Sequence, residues 1–336
     1  LMTTRHDPIE RKVQLTGGST YTVSLPKQWA NDQQIEPGSP VTLYVRDDKL
    51  VVTRGESAST TSRSTSIDAA DRDPATLALD VGAAYVAGCD EISFDGFEST
   101  TERRAVTRAV RRFVGLEVMT EDERSLTART MLDAADLSPE QTLAQLERTT
   151  MEMHADAITA VIETDGDLGD RIARQDETVD RLFSLISRGF QRSLVDPGVG
   201  MSRNGLRSFE YYMAARQLER VADHAEKIAE IAGRLESPPP EPIADSLESY
   251  GRDAREIVED SLSGMFEDSP EPASVIADAD ELLAEFEAFD EELYHTDHED
   301  SYLLGVVLDS IVRTTQYGVN IAESALQAHY RTEHSD

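Results

Sequence analysis

Asp176 and Asp180, and again Glu219 and Asp223, stand four residues apart, so that on a helix both carboxylates of each pair share one face. Charges held so close repel unless something neutralises them. Spacing alone is weak evidence, because a chain with 65 Asp and Glu among 336 residues yields on the order of a dozen such pairs by chance. The longer string Glu219-Arg-Val-Ala-Asp-His-Ala-Glu-Lys-Ile-Ala-Glu230 is more discriminating. Arg103, Arg104, Arg108, Arg111 and Arg112 form a second charged group, opposite Ala105, Val106, Ala109, Val110 and Phe113. Such a face either contacts an anion or DNA, or pairs with acidic neighbours, and the abundance of acids favours pairing. His295-Thr-Asp-His298-Glu-Asp300 falls in a connection between helices and lacks the spacing of a four-ligand site. No phosphate-binding Gly-x4-Gly-Lys-Ser/Thr, His-Glu-x-x-His or Gly-x-Ser-x-Gly string is present, so a non-enzymatic protein is expected.

The elements that must position these groups divide the chain in two. From Ser138 onward the apolar pattern is helical, opening on a Ser138 cap, Pro139 in the first turn and Gln141 at the capping-box position. Breaks at residues 163–166, 196–198, 237–240, 268–272 and 294–298 punctuate six helices, three on each side of Pro238-Pro239-Pro240. Their matching lengths predict two tandem three-helix bundles, residues 138 to 236 and 241 to 330. Upstream, residues 75 to 136 predict a small α/β unit: helix over 76–88, strand over 89–94, amphipathic helix over 101–114 and paired strands within 116–132. Residues 55 to 74, rich in Ser and Thr and poor in apolar side chains, predict a flexible linker. Residues 9 to 54 predict four short strands and one helical turn, starting with a hairpin around Gly17-Gly18. So few elements cannot bury a stable core, and dimerisation is the expected remedy.

An apolar fraction of 39% is enough for ordinary cores. No segment approaches the roughly 18 uninterrupted apolar residues of a membrane span, and the first twenty lack a signal peptide's apolar stretch. A cytoplasmic protein with no membrane insertion is expected, and the single Cys89 fits a reducing compartment. The net charge is -33, and lysine occurs only at positions 12, 27, 49 and 227, a balance that resembles the proteins of extreme halophiles. Residues 1 to 54 nevertheless hold seven cations against six acids. Contact with a polyanion would explain this local neutrality, and so would a tight dimer interface.

In their order, Arg11-Lys-Val, the glycine turn, Thr22-Val-Ser-Leu-Pro-Lys27, Ile35-Glu-Pro-Gly38 and Leu50-Val-Val resemble the AbrB/SpoVT/MazE-like swapped-hairpin domain. The resemblance implies an intertwined homodimer, closed as a swapped-hairpin β-barrel, that binds DNA through Arg11, Lys12, Ser19, Thr20 and Lys27, with Arg11 the foremost candidate. The string over 219–230, with Asp176-x-x-Val-Asp180 before it, resembles the PhoU family of phosphate-uptake regulators over about residues 138 to 330. That resemblance implies two adjoining helices whose Asp176, Asp180, Glu219 and Asp223, with Glu230 as an addition, would offer oxygen ligands to divalent or ferric ions. In the second repeat Val312 and Gln316 stand at the acid positions, and Asp280 has Ala284 where Asp180 stood, so one metal cluster at most is expected. The combined expectation is a mainly α protein of halophilic archaeal type: a DNA-binding regulator of phosphate uptake with a PhoU-like sensor or adaptor. The alternative is an adaptor acting on a phosphate-transporter ATPase or regulatory kinase, whose N-terminal domain only dimerises. An antitoxin-like module and a carboxylate-metal enzyme are the remaining readings.

Overall fold

The computed structural model describes residues 8–46, 49–54, 62–132, 138–195, 208–267, 269–296 and 299–333. Residues 1–61 and 62–336 are separate compact units.

In the first unit, β1 (Gln14–Thr16) and β2 (Thr20–Thr22) pair antiparallel, Gln14 opposite Thr22 and Thr16 opposite Thr20. Gly17 and Gly18 turn between them at φ of 63° and 81°, a left-handed region that side chains rarely occupy. The strands are shorter than expected, leaving Arg11 and Lys12 in unpaired chain ahead of β1. Pro26 sets the start of α1 (Lys27–Asp32). A second hairpin joins β3 (Val41–Arg46) to β4 (Lys49–Arg54); its turn at residues 47–48 lies outside the described residues. The two hairpins do not close a barrel within one chain. No described side chain of this unit is buried, and Val13, Leu15, Tyr21, Leu43, Val45 and Leu50 are all exposed.

The second unit opens with a four-stranded sheet in the order β5-β6-β8-β7. It is formed by β5 (Ser64–Asp68), β6 (Glu91–Asp95), β7 (Leu116–Glu121) and β8 (Ser125–Thr130), with β5 parallel to β6 and the other neighbours antiparallel. Helices α2 (Pro74–Val86) and α3 (Thr100–Val110) cover a core that includes Leu77, Tyr85, Phe94, Val106 and Leu126. The expected flexible linker over 55–74 is corrected here: β5 lies inside it, and Asp73 caps α2 by accepting from the Ala75 and Thr76 amides. The segment has little apolar surface of its own, but the β6 backbone pairs with it from Ser64 opposite Glu91 to Asp68 opposite Asp95. Residues 55–61 lie outside the described residues.

Among the described residues seven helices follow: α4 (Pro139–Glu163), α5 (Gly166–Ala173), α6 (Asp176–Ser193), α7 (Ser208–Ala232), α8 (Glu241–Phe266), α9 (Pro272–Tyr294) and α10 (Ser301–Glu333). The expected six become seven because the chain breaks again at Arg174 and Gln175, splitting the second helix into α5 and α6. The break expected at 196–198 lies outside the described residues. Buried residues of α4 to α7 and of α8 to α10 form one continuous core. Helices α7 and α10 run antiparallel through it, joined by Glu210–Arg331, Gln217–Asn320, His224–Tyr317 and Lys227–Asp309 contacts. His224 and Tyr317 occupy equivalent positions of the two repeats, so the repeats meet there. No helix among the described residues is long and apolar enough to cross a membrane.

Two interior contacts have measurable consequences. A Cβ at Gly169 would lie 2.4 Å from the Ala229 carbonyl oxygen, so α5 reaches α7 only because residue 169 has no side chain. Gly169→Ala is expected to lower stability by about 1–3 kcal/mol instead of adding the fraction of a kcal/mol a compatible Gly→Ala change supplies, read as a drop in melting temperature. His154 is fully buried, with Arg255 Nη1 3.3 Å from its Nδ1 and Thr314 Oγ1 3.1 Å from its Nε2. Arginine can only donate, so Nδ1 accepts and the Nε2 hydrogen is directed to Thr314. Burial, reinforced by Arg255, pushes the imidazole from 6.5 down to about 3. The unfolded chain takes up this proton first, so the stability His154 contributes is full above pH 6.5 and lost as pH falls toward about 3. Unfolding measured between pH 7 and 5 should show a steeper loss in the parent than in His154→Gln.

Candidate functional site

Asp176 and Asp180 lie in the first two turns of α6, whose other face buries Val179, Leu182, Leu185 and Ile186. Glu219 and Asp223 lie on the neighbouring α7, whose apolar face is occupied by Leu218, Val221, Ala222 and Ala225. Amphipathic packing of α6 on α7 therefore brings the four carboxylates expected from the sequence to one surface. Burial is the first cause that raises each of them. It takes Asp176 to about 6, with the charges of Asp180, Glu226 and Asp223 adding to it. Glu219 rises to about 7, helped by Asp223 and opposed by Arg216. Asp180 and Asp223 move the same way, as does Glu226, a residue the sequence reading passed over. Glu230 is exposed one turn beyond Glu226, whose pKa it helps raise.

The fit of a metal to this surface is mixed in detail and negative in sum. Asp176 Oδ1 and Glu219 Oε2 are buried without a hydrogen-bond partner among the described residues, as ligand oxygens awaiting a cation would be. Yet no group of three or more His, Cys, Asp or Glu among the described residues is arranged to hold an ion. Two of the four carboxylates already face guanidinium groups: Asp180 lies 3.4 Å from Arg112, and Glu219 lies 3.1 Å from Arg216. The residues as they stand form a charged surface and not a coordination shell, and arginine supplies the neutralising charge.

Arg112 extends from the end of α3, so this surface is shared between the α/β part and the helices. A buried clamp that sequence reasoning missed makes the sharing possible. Arg188 of α6, only 4% exposed, donates from Nη1 to the carbonyls of Tyr85 and Cys89 at 2.7 and 2.8 Å, and from Nη2 to Asp90 Oδ1 at 2.7 Å. Arg192 donates to the same Asp90 oxygen at 2.6 Å, while Asp90 Oδ2 accepts from the Arg63 amide at 3.0 Å. The one sequence signal was the pair of arginines spaced by four.

In the N-terminal unit the five expected DNA contacts are all exposed. Arg11 Nη1 donates to the Glu10 carbonyl at 2.9 Å; Ser19 lies in the glycine turn, Thr20 opens β2 opposite Thr16, and Lys27 opens α1. Arg11 and Lys12 precede the turn by several residues.

The raised carboxylates set a pH dependence opposite to that of His154. A carboxyl whose pKa rises on folding holds its proton more tightly in the folded state, so its ionisation costs stability as pH rises from the ordinary 4.5 toward about 7. Glu219→Gln is therefore expected to raise the melting temperature at pH 8, with the gain shrinking to nothing as pH falls to 4.5; thermal melts across that range check it.

Residues 143–232 match the family model described as PhoU domain. Residues 14–59 match that described as Antidote-toxin recognition MazE, bacterial antitoxin. Among solved structures, the crystal structure of PhoU from Pseudomonas aeruginosa is similar at 19% sequence identity and a TM-score of 0.48, covering 56% of this chain and 93% of that one. No curated protein matches the chain. The protein thus joins a MazE/AbrB-like antitoxin domain at its N-terminus to a PhoU domain in its helical half.

Proposed function

We propose that this protein is a dimeric, DNA-binding regulator of phosphate uptake, in which the N-terminal domain grips an operator and the PhoU domain reports phosphate status. The observation that carries the reading is the N-terminal unit's lack of any buried described residue, with Tyr21 78% and Val45 80% exposed. A chain in that state cannot offset its own folding entropy, so a second copy must supply the missing half of the core. Intertwining two copies would bring two sets of Arg11, Lys12, Ser19, Thr20 and Lys27 to one face, as two half-sites of a duplex require. The match to an antitoxin domain supports the same reading, because a near-neutral segment in a chain of net charge -33 meets less repulsion from DNA than the acidic remainder does on average.

The PhoU domain is the part that meets a phosphate-transporter ATPase or a regulatory kinase. Coupling between that encounter and DNA is reciprocal: whatever factor a partner changes operator affinity by, DNA changes partner affinity by the same. No catalytic step is required of the carboxylate surface, and the protein acts as a regulator and not as an enzyme.

Genome-wide occupancy in phosphate-rich and phosphate-starved cells tests the proposal, run in parallel with Arg11→Ala/Lys12→Ala. Occupancy at phosphate-transport promoters that shifts with phosphate and drops at least tenfold in the double variant, with the dimer intact by light scattering, is the expected result. Occupancy unchanged by the double variant while uptake control persists would establish the adaptor alternative, with the N-terminal domain serving only to dimerise.

A further inference from the structure

Five arginines line α3 and the residues just after it, and the structure divides them. Arg103 meets Glu121 at 2.9 Å, with its Nη1 donating to the Asp122 carbonyl, and Arg112 meets Asp180. Arg104, Arg108 and Arg111 make no ion pair among the described residues; Arg108 donates only to the Arg104 carbonyl, at 3.4 Å. All three are exposed. Spacings of four and three place them on one face, separated by about 6 and 4.5 Å along the axis, and Arg111 keeps helical geometry as the C-cap. The opposite face, Ala105, Val106, Ala109 and Val110, is buried. Glu102, the helix's acid, is consumed at its N-terminus, where its carboxylate accepts from the Glu98 and Ser99 amides and the Ser99 hydroxyl.

In a chain with 65 acidic residues, three adjoining guanidinium groups left without a carboxylate repel one another for no internal gain. Among the described residues no carboxylate supplies their counter-charge. A single small anion would engage one fork and leave two. A row of forks fits a repeating, closely spaced anion, and the guanidinium plane matches phosphate oxygens in pairs. Bound to DNA through its N-terminal domain, the protein would hold this row at high effective concentration beside the same duplex.

We propose that Arg104, Arg108 and Arg111 form a second DNA contact, made with the phosphate backbone irrespective of sequence. This inference rests on the DNA-binding reading above. Each backbone contact contributes about 0.9 to the slope of log affinity against log salt. In full-length protein titrated with a random-sequence duplex over a range of salt, Arg104→Gln/Arg108→Gln/Arg111→Gln should flatten that slope by about 2 to 3. The corresponding triple Arg→Lys variant, which keeps the charges, should retain most of it. An unchanged slope in the Gln variant overturns the proposal; so does an equal loss in the Lys variant, or altered self-association with the DNA slope intact, which would point to a protein partner. Separation from the N-terminal reading comes from Arg11→Ala/Lys12→Ala. If that variant keeps its DNA affinity and the α3 variant loses it, the N-terminal reading fails and this one stands; the reverse pattern sinks this one alone, and a protein that binds no duplex at any salt sinks both.

Discussion

Arg188 cannot sit where it does without acceptors, and the rest of the second unit is arranged around that requirement. A guanidinium removed from water and deprived of a partner costs about 3–5 kcal/mol. Here its donors find two carbonyls at the end of α2 and the Asp90 carboxylate just ahead of β6, with Arg192 sharing that carboxylate and the Arg63 amide holding its other oxygen. The ring of Tyr85, 5.0 Å from the Arg188 guanidinium, closes the site. These bonds converge on residues 63, 85, 89 and 90, which fixes the α/β part on α6. Helix α6 also presents Asp176 and Asp180, so the same clamp determines that Arg112 comes within reach of the carboxylate surface.

Charge is distributed by the same logic. In a chain with so many acids, an arginine that meets a carboxylate is unremarked, and one that does not stands out. On α6 and α7 the carboxylates crowd each other until burial and mutual repulsion raise them, and Arg112 and Arg216 offset part of the cost. On α3 the situation is reversed: cations crowd, and the acid that could relieve them is bound to the helix's own N-terminus. The two neighbouring surfaces thus carry opposite imbalances of charge.

The N-terminal unit has a different constraint. Its turns and short strands are well specified locally, by glycines at positive φ and by Pro26 ahead of α1, yet none of its described side chains is buried. Local specification without a core is the observation from which the proposed pairing with a second copy is argued.

The sequence by itself determined what is periodic or punctuated. The helical half, the capped start at Ser138, the α/β elements from α2 onward, the hairpin about Gly17-Gly18 and the α6 and α7 carboxylates were all legible, because 3.6-residue and two-residue apolar periods and turn residues act within a few positions of themselves. What depends on residues far apart was decided only by tertiary structure. Strand β5 looked like linker because its stability comes from pairing with β6 and not from its own side chains. The close seating of Gly169 on Ala229 follows from how α5 meets α7. That Asp180 and Glu219 face arginines, and that Arg188 and Asp90 meet across nearly a hundred residues, could not be read from spacing, since electrostatic partners are chosen by distance in space.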